Sequence, residues 1–187
     1  MPRATSLLVL ALCIGFAALP AVAQPVYWDP NAGGNGHYYE FFAASSSPTT
    51  TWTYARDHAL TLSYNGYPGY LATVTSQAEQ DFIWNNVMAQ GNGYSAWLGG
   101  TDVAVEGTWV WDSGPEANTV LTYFDWYTGE PNGGTGENCI AMGQSLTVGG
   151  QWIDYPDSFK GSYIVEYSPG SVSTEQSTWG AIKGLYR

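Results

Sequence analysis

The segment 129–139 concentrates oxygen-bearing side chains within eleven residues. It contains two carboxylates, Glu130 and Glu137, and two carboxamides, Asn132 and Asn138. The glycines and the proline among them exclude a helix interior or a central strand, so the segment is predicted to be a loop with a defined backbone path. Carboxylate and amide oxygens are the hard ligands that Ca²⁺ prefers. Composition alone leaves two interpretations open, a cation site and an ordinary polar surface loop.

Further candidate residues lie on either side of this loop. Asp154 follows it on a short apolar element, and Asp102 and Glu106 precede it, four positions apart. Tyr127 and Tyr155 flank the loop and the aspartate. Their rings could stack on a sugar, or their hydroxyls could simply cap a loop. Together these side chains are the material from which a binding site would be built.

The sequence gives little support for catalysis. The two histidines, His37 and His58, belong to no recognisable nucleophile arrangement. Histidines and cysteines are too few for a zinc site. No pair of carboxylates is placed by its spacing as the acid and base of a glycosidase. The chain is therefore predicted to be a binding protein and not an enzyme.

The N-terminus has the three parts of a secretory signal peptide. Arg3 provides a basic start, Leu7–Leu19 an apolar run of 13 residues, and the small residues up to Ala23 a cleavage site. The apolar run is too short to span a bilayer. We therefore expect residues 1–23 to be removed and residues 24–168 to form one domain. The protein is predicted to be exported, either secreted, extracellular or periplasmic, without a membrane span.

The predicted mature chain is strongly acidic and has one cysteine. The whole chain has 5 Lys and Arg against 16 Asp and Glu, a net charge of −11, and loss of Arg3 makes this −12. Such a surface repels phosphate backbones, which argues against nucleic acid as a partner. Cys13 lies in the signal peptide, so Cys139 remains alone and no intrachain disulfide can form. We expect Cys139 to be a small buried hydrophobe and not a reactive thiol.

Two helices are predicted in the first half of the domain. The apolar face of the first consists of Trp52, Ala55, Ala59 and Leu62. The second begins at Ser76, where Glu79 is expected to complete a capping box. Its buried stripe consists of Phe82, Ile83 and Val87.

Short strands are predicted around and after these helices. Two early ones are Tyr38–Phe42 and Tyr70–Val74. The later ones are Ala96–Gly99, Thr108–Trp111, Ile140–Met142, Gln151–Ile153 and Tyr163–Tyr167. Helices followed by a run of strands predict an α+β fold. Residues 24–36 are predicted to be irregular, and residues 169–187 a linker and a short C-terminal tail.

Four motifs in this order resemble those of the C-type lectin domain. They are Trp97-Leu98-Gly99-Gly100, Glu130-Pro131-Asn132, Glu137-Asn138-Cys139 and Trp152-x-Asp154. The resemblance covers about residues 36–167, and the lack of disulfides makes the chain similar to cysteine-poor bacterial members. It implies the C-type lectin fold, with two helices, short antiparallel sheets, a long Ca²⁺-binding loop region and paired N- and C-terminal strands. The tryptophans that match core positions of that fold are Trp97, Trp109, Trp111, Trp126 and Trp152.

The resemblance also implies a Ca²⁺ site that binds vicinal sugar hydroxyls. The ligands carried over by position are Glu130, Asn132, Glu137 and Asp154. Pro131 corresponds to a cis proline that turns the oxygens on either side of it in the same direction. The family's asparagine before the aspartate is Ile153 here, which offers no oxygen. A backbone carbonyl, Asn138 or water would have to replace it.

A second Ca²⁺ site is implied less completely. It would use Asp102 and Glu106 together with Glu137 and Asn138. The aspartate that usually follows Glu-Pro-Asn in the family is Gly133 here. This second set therefore also lacks one ligand.

In the family, Glu-Pro-Asn accompanies recognition of mannose-type hydroxyl pairs. The resemblance implies a secreted protein that binds a glycan or glycoprotein through Ca²⁺. The implied sugar-binding residues are Glu130, Asn132, Glu137, Asp154, Tyr127 and Tyr155. The alternative is a Ca²⁺-independent protein-binding or structural module on the same fold, which the isoleucine at 153 favours.

Overall fold

A computed structural model describes residues 24–44, 50–91, 95–143 and 148–169. The predicted signal peptide and most of the predicted tail lie outside these ranges. The strands of the described part are β1 (Val26–Tyr27), β2 (Tyr38–Phe42), β3 (Ser63–Tyr64), β4 (Tyr67–Leu71), β5 (Ala96–Thr101), β6 (Val110–Trp111), β7 (Cys139–Met142), β8 (Trp152–Tyr155) and β9 (Ser162–Tyr167). The helices are α1 (Trp52–Ala59) and α2 (Gln77–Phe82), and α2 continues as a π-helical turn (Ile83–Val87) and a 3-10 turn (Met88–Gln90). The predicted α+β class is confirmed.

The strands form one sheet in the order β1-β2-β9-β5-β7-β8. Strand β4 also pairs with β9, and β6 pairs with β5. The strand pairs are antiparallel except that between β5 and β9, which is parallel. As predicted, the N- and C-terminal strands pair along their length, from Tyr38 opposite Tyr167 to Phe42 opposite Tyr163. This pairing closes the domain and places β8 at the far edge of the sheet from β1.

The tryptophans form the core, as the sequence predicts. Trp97 and Trp152 are fully buried, and Trp109 and Trp111 are at most 4% exposed. Trp126 is partly buried and packs against the same cluster. A domain without a disulfide in its described part is thus stabilised by large aromatic side chains.

Helix α2 holds β8 in place through one buried side chain. The amide of Gln80 donates to the carbonyl of Gly150 at 2.8 Å, and its oxygen accepts from the Trp152 indole at 2.9 Å. Gln80 is only 3% exposed. A buried amide with both ends bonded fixes its neighbours strongly, because either group left alone would be costly. The position of β8, and of the candidate site on it, therefore depends on α2.

Several local predictions need correction. Helix α1 ends at Ala59, and Leu62 packs on the core from the turn that follows. Strand β4 ends at Leu71, before the predicted Val74, because the Thr73 amide donates to the Glu166 carboxylate at 3.0 Å and not to a strand. Residues 24–36 are not wholly irregular, since they contain β1 and a 3-10 turn.

The predicted capping box at α2 is only half formed. The Ser76 hydroxyl accepts from the Glu79 amide at 3.3 Å, but the Glu79 carboxylate does not return to Ser76. It accepts from the Thr75 amide at 2.8 Å and from the Tyr39 hydroxyl at 2.6 Å. Glu79 is 3% exposed, so its carboxylate joins the helix start to β2 inside the protein.

A second buried carboxylate joins the two ends of the domain. The His37 Nδ1 atom lies 2.5 Å from Oε1 of Glu166, which is 1% exposed. Burial opposes protonation of His37, but the hydrogen bond and charge of Glu166, helped by the charges of Glu79 and Glu116, outweigh it and raise the pKa above 6.5. The protonated imidazole therefore stabilises the fold.

We expect His37→Gln to reveal this contribution as a function of pH. Because the folded-state pKa is raised, the advantage of the wild type is complete below about pH 6.5 and disappears as the pH rises through the folded-state value. A charged hydrogen bond of this kind contributes about 1.5 kcal/mol. Urea unfolding of both proteins from pH 5 to 9 measures it. A difference that does not change with pH would contradict the assignment.

Among the residues that the structure describes, no helix is both long and apolar enough to cross a bilayer. Cys139 is free and 4% exposed. Its burial raises the pKa of the thiol to about 12. The prediction that Cys139 is a buried hydrophobe is thus confirmed, because a reactive cysteine needs an accessible thiolate.

Candidate functional site

The loop before β7 folds back onto β8. The Tyr127 amide donates to the Trp152 carbonyl at 2.9 Å, and the Glu130 amide donates to the Tyr127 carbonyl at 2.9 Å. The bond between Glu130 and Pro131 is cis, as the resemblance implies. These contacts bring the Glu-Pro-Asn segment alongside the strand that carries Asp154.

Asp154 anchors the loop from inside. Its carboxylate accepts from the Asn132 amide at 3.1 and 3.2 Å and from the Gly133 amide at 2.9 Å. The side chain is 1% exposed. It is buried with Trp152, whereas Ile153 and Tyr155 alternate to the opposite face of β8 and are half-buried. The family resemblance implies that Asp154 is a ligand, but the sequence does not indicate that Asp154 also shapes the loop.

Glu130 is the most perturbed acid of the loop. Burial, the hydrogen bonding and charge of Asp154, and the charge of Glu137 together raise the pKa of Glu130 to about 7. Its Oε2 atom is buried and has no hydrogen-bond partner within the described residues. A carboxylate in this position lacks a compensating positive charge.

Glu137 completes the acidic group. Burial and the charge of Asp154 raise the pKa of the Glu137 carboxyl above its ordinary value. The Glu137 side chain occupies the space next to Gly133 that a Cβ atom would need, in contact with its Cβ, Cγ and Oε2. A side chain at position 133 would collide with Glu137, so glycine fits this position. Sequence spacing gave no sign of this contact.

The amides of the loop have different roles. The Asn138 side-chain amide donates to the Thr135 carbonyl at 3.1 Å, a bond that does not use its side-chain oxygen. The Asn138 carbonyl accepts from the Thr101 hydroxyl at 2.7 Å. Asn132 is exposed, and its side chain lowers the pKa of Glu130 by hydrogen bonding. Both amides thus remain available as oxygen donors.

The donor set fits Ca²⁺ without forming a closed cage. The charge of Asp154 raises the pKa of both Glu130 and Glu137, so these carboxylates lie near one another. Nevertheless, within the described ranges no three His, Cys, Asp or Glu side chains are spaced to hold a metal ion. The pKa shifts show that the loop carboxylates lie near one another, whereas their spacing shows that they are not arranged around a metal ion. A carboxylate has about four acceptor positions, so Asp154 can hold the loop amides and still offer an oxygen to a cation.

The two acids of the second implied site differ in exposure. Asp102 is 2% exposed, and its Oδ2 accepts from the Gly107 amide at 2.8 Å. Its Oδ1 is buried without a hydrogen-bond partner among the described residues, and burial and the charge of Asp154 raise the pKa of the carboxyl. Glu106 is exposed. Asp102 therefore caps its own loop, and Glu106 stands at the surface.

The two candidate tyrosines differ. The Tyr155 ring stacks on Phe159 with a centroid distance of 4.2 Å and meets Trp97 edge-on at 6.2 Å. One face of Tyr155 is thus already covered. Tyr127 is half-buried, and no ring contact involves it in the described part of the chain. Tyr127 is the better placed of the two to meet a sugar.

Comparison with known proteins points to the same family as the sequence motifs. The model of the family described as "Lectin C-type domain" matches residues 62–166. Halomucin of Haloquadratum walsbyi is 34% identical over 154 residues, which is 76% of this chain but only 2% of halomucin. The alpha-N-acetylgalactosamine-specific lectin of Patiria pectinifera is 28% identical over 137 residues, 72% of this chain and 76% of that lectin.

A solved structure shows the same fold. The C-type lectin CEL-I from Cucumaria echinata matches with a TM-score of 0.61 at 21% identity, over 81% of this chain and 98% of CEL-I. The family model covers more than half of the chain, and the fold agrees with it throughout the site region. The chain therefore belongs to the C-type lectin family.

Proposed function

We propose that this protein binds carbohydrate at the loop 129–139 and strand β8, and that Ca²⁺ mediates the binding. The ligands would be Glu130, Asn132, Glu137, Asn138 and Asp154. The glycan would present mannose-type vicinal hydroxyls. We further propose that the protein is an exported binding module without catalytic activity.

The observation that carries this proposal is the buried Oε2 atom of Glu130, which has no hydrogen-bond partner among the described residues. Burial together with the carboxylates of Asp154 and Glu137 raises the pKa of Glu130 to about 7. The neighbouring carboxylates of Asp154 and Glu137 repel that of Glu130 when all are ionised, and this repulsion lowers the stability of the loop. A divalent cation converts this repulsion into attraction. The exposed amide of Asn132 beside it supplies a neutral oxygen of the type that Ca²⁺ also binds.

The chain's own side chains would recognise the sugar. When bound, Ca²⁺ supplies coordination positions that two neighbouring neutral hydroxyls can fill. Glu130 and Glu137 would accept hydrogen bonds from those hydroxyls, and Asn132 would donate to them. Tyr127 would pack its ring against the apolar face of the sugar.

The competing function is a Ca²⁺-independent protein-binding or structural module. Two observations favour it: Ile153 offers no oxygen, and Asp154 already uses its carboxylate to hold the backbone of Asn132 and Gly133. A loop that is ordered by Asp154 alone would not require a cation. The two functions are separated by whether sugar binding depends on Ca²⁺.

Calorimetric titration of methyl α-mannoside tests the proposal. We expect binding in millimolar Ca²⁺, with a dissociation constant on the order of millimolar as for a small ligand at an open site, and loss of binding in chelator. Glu130→Gln should abolish binding in Ca²⁺ because it removes a charged ligand and acceptor. Glu106→Gln is the matched control, since Glu106 is exposed outside this cluster. Equal binding with and without Ca²⁺ would support a different mode of recognition.

A further inference from the structure

Four tyrosines form a surface cluster far from the loop 129–139. Tyr38 lies at the centre, 4.7 Å from Tyr27, 5.1 Å from Tyr64 and 6.3 Å from Tyr67 between ring centroids. Each ring comes from a different strand, β1 to β4. Tyr27 is 45% exposed, and the other three are half-buried. We call this group the tyrosine cluster.

A tight hairpin holds two of these rings in register. Tyr64 and Tyr67 are directly opposed across the turn formed by Asn65 and Gly66. These residues have φ angles of 49° and 82°, the backbone that a two-residue hairpin turn of this type requires. Asn-Gly between two tyrosines is a sequence signal for such a hairpin. The two rings are therefore presented on a rigid support.

The tyrosine cluster is neutral and rich in unused hydroxyls. Within the described residues, no hydrogen bond involves the hydroxyl of any of its four members. The hairpin segment 63–68 contains no charged residue. The nearest carboxylate on the same face of β2 is Glu40, which accepts from the Tyr167 hydroxyl at 2.5 Å. The rings tilt by 37° to 64° relative to Tyr38, so they form an uneven cradle and not a flat plate.

This surface suits a neutral hydroxylated ligand. The chain has a net charge of −11, which repels anionic partners, and the cluster has no charge with which to hold a cationic one. Tyrosine rings offer contact area at a low entropic cost, and their hydroxyls can both donate and accept. Because the tyrosine rings are tilted relative to one another, the cluster fits a single soluble oligosaccharide better than a flat solid surface.

We infer that the tyrosine cluster is a second, Ca²⁺-independent carbohydrate site that takes a neutral oligosaccharide chain. The sugar rings stack their apolar faces on Tyr27 and Tyr38, and their hydroxyls meet those of Tyr64 and Tyr67. The sheet order places β1 and β8 at opposite edges, so Tyr27 on β1 is separated from the loop site by the width of the sheet. One domain can then engage two glycan segments, which raises avidity for a polysaccharide. The site does not depend on the loop 129–139.

Binding of cellohexaose in chelator tests the inference, because the proposed loop site is then inactive. The protein is labelled with 3-fluorotyrosine, and Tyr27→Phe assigns one resonance of the cluster by fluorine NMR. We expect cellohexaose to shift that resonance, and Tyr27→Ala to weaken binding roughly tenfold. Tyr67→Phe, which keeps the ring, should weaken it severalfold. Tyr54→Ala is the matched control, since Tyr54 is 43% exposed on α1, outside the cluster.

The outcomes distinguish sugar binding at the tyrosine cluster from sugar binding at the loop 129–139. Binding that survives Glu130→Gln and chelator but falls with Tyr27→Ala supports the inference, whatever becomes of the loop site. An anionic oligogalacturonate should not bind. Absence of any shift with cellohexaose would overturn the inference, as would equal losses in Tyr27→Ala and Tyr54→Ala. A shift of the Tyr27 resonance on deletion of residues 170–187, without sugar binding, would show that the chain's own tail covers the cluster and would also overturn it.

Discussion

Replacing Asp154 with asparagine should lower Ca²⁺ affinity roughly hundredfold, about 3 kcal/mol, and abolish measurable mannoside binding. Asp154 is proposed to act twice, as a cation ligand and as the acceptor for two loop amides. Asparagine keeps the shape but removes the charge. Its NH₂ group would also face a backbone donor that now has no acceptor. Folding stability in chelator should therefore fall by about 1–3 kcal/mol.

Calcium titration calorimetry and urea unfolding measure the two effects separately. Asp125→Asn is the matched control, because Asp125 is a half-buried carboxylate of the same long loop region, bonded to Gln151. The pKa of Glu130 provides an independent readout, since loss of the Asp154 charge should lower it from about 7. Unchanged Ca²⁺ affinity in Asp154→Asn would restrict this residue to a structural role.

Replacing Ile153 with asparagine should strengthen Ca²⁺ binding roughly ten- to a hundredfold, the equivalent of about 1.5–3 kcal/mol. The change restores the oxygen that the family uses at this position. Ile153 is half-buried and belongs to neither core cluster of the described structure, and Tyr155, its neighbour on the same face of β8, packs on Phe159 instead. The substitution should therefore cost little stability. Mannoside affinity should rise with Ca²⁺ affinity because the two ligands share the same oxygens.

Ile153→Leu is the matched control, since leucine has nearly the shape of asparagine without its oxygen. Calorimetric titration of Ca²⁺ and of methyl α-mannoside into both variants separates a ligand effect from a packing effect. A gain of Ca²⁺ affinity in Ile153→Asn but not in Ile153→Leu supports the interpretation that the wild-type site lacks one ligand. A loss of stability in asparagine, with no gain in either affinity, would mean that this loop has been adapted to a different ligand.

Much of the fold was predictable because its signals are local or are ordered motifs. The pairing of Tyr38–Phe42 with the C-terminal strand followed from the family resemblance, and the aromatic core from the tryptophan positions. The parts that were missed depend on contacts between distant residues. Strand β4 ends where the Glu166 carboxylate accepts a hydrogen bond from the Thr73 amide, 93 residues away along the chain. Glu79 turns away from its helix cap toward Tyr39, 40 residues away.

The candidate site shows the same division. The family resemblance implied Glu130, Asn132, Glu137 and Asp154 as one ligand set, and in the structure the charges of Asp154 and Glu137 raise the pKa of Glu130. Spacing could not reveal that Glu137 fills the place next to Gly133, because that depends on how the loop folds back on itself. The resemblance also grouped Glu106 with Asp102, although Glu106 is exposed and Asp102 is buried. Motif order predicts which residues meet, whereas side-chain direction has to be observed.

Thermal unfolding in Ca²⁺ and in chelator tests most directly whether the loop 129–139 holds a cation. A ligand at about one hundred times its dissociation constant stabilises the folded state by about 2.7 kcal/mol, which for a domain of this size is roughly 5–10 °C in the melting temperature. We expect this rise in the wild type and none in Glu130→Gln.

In chelator the same variant should melt at or above the wild type at pH 8. A carboxyl whose pKa is raised to about 7 stabilises the fold only while protonated, and this contribution is lost as the pH rises through 7. We therefore expect Glu130→Gln to remove the Ca²⁺ response without harming the metal-free fold. Identical melting of the wild type in Ca²⁺ and in chelator would contradict it.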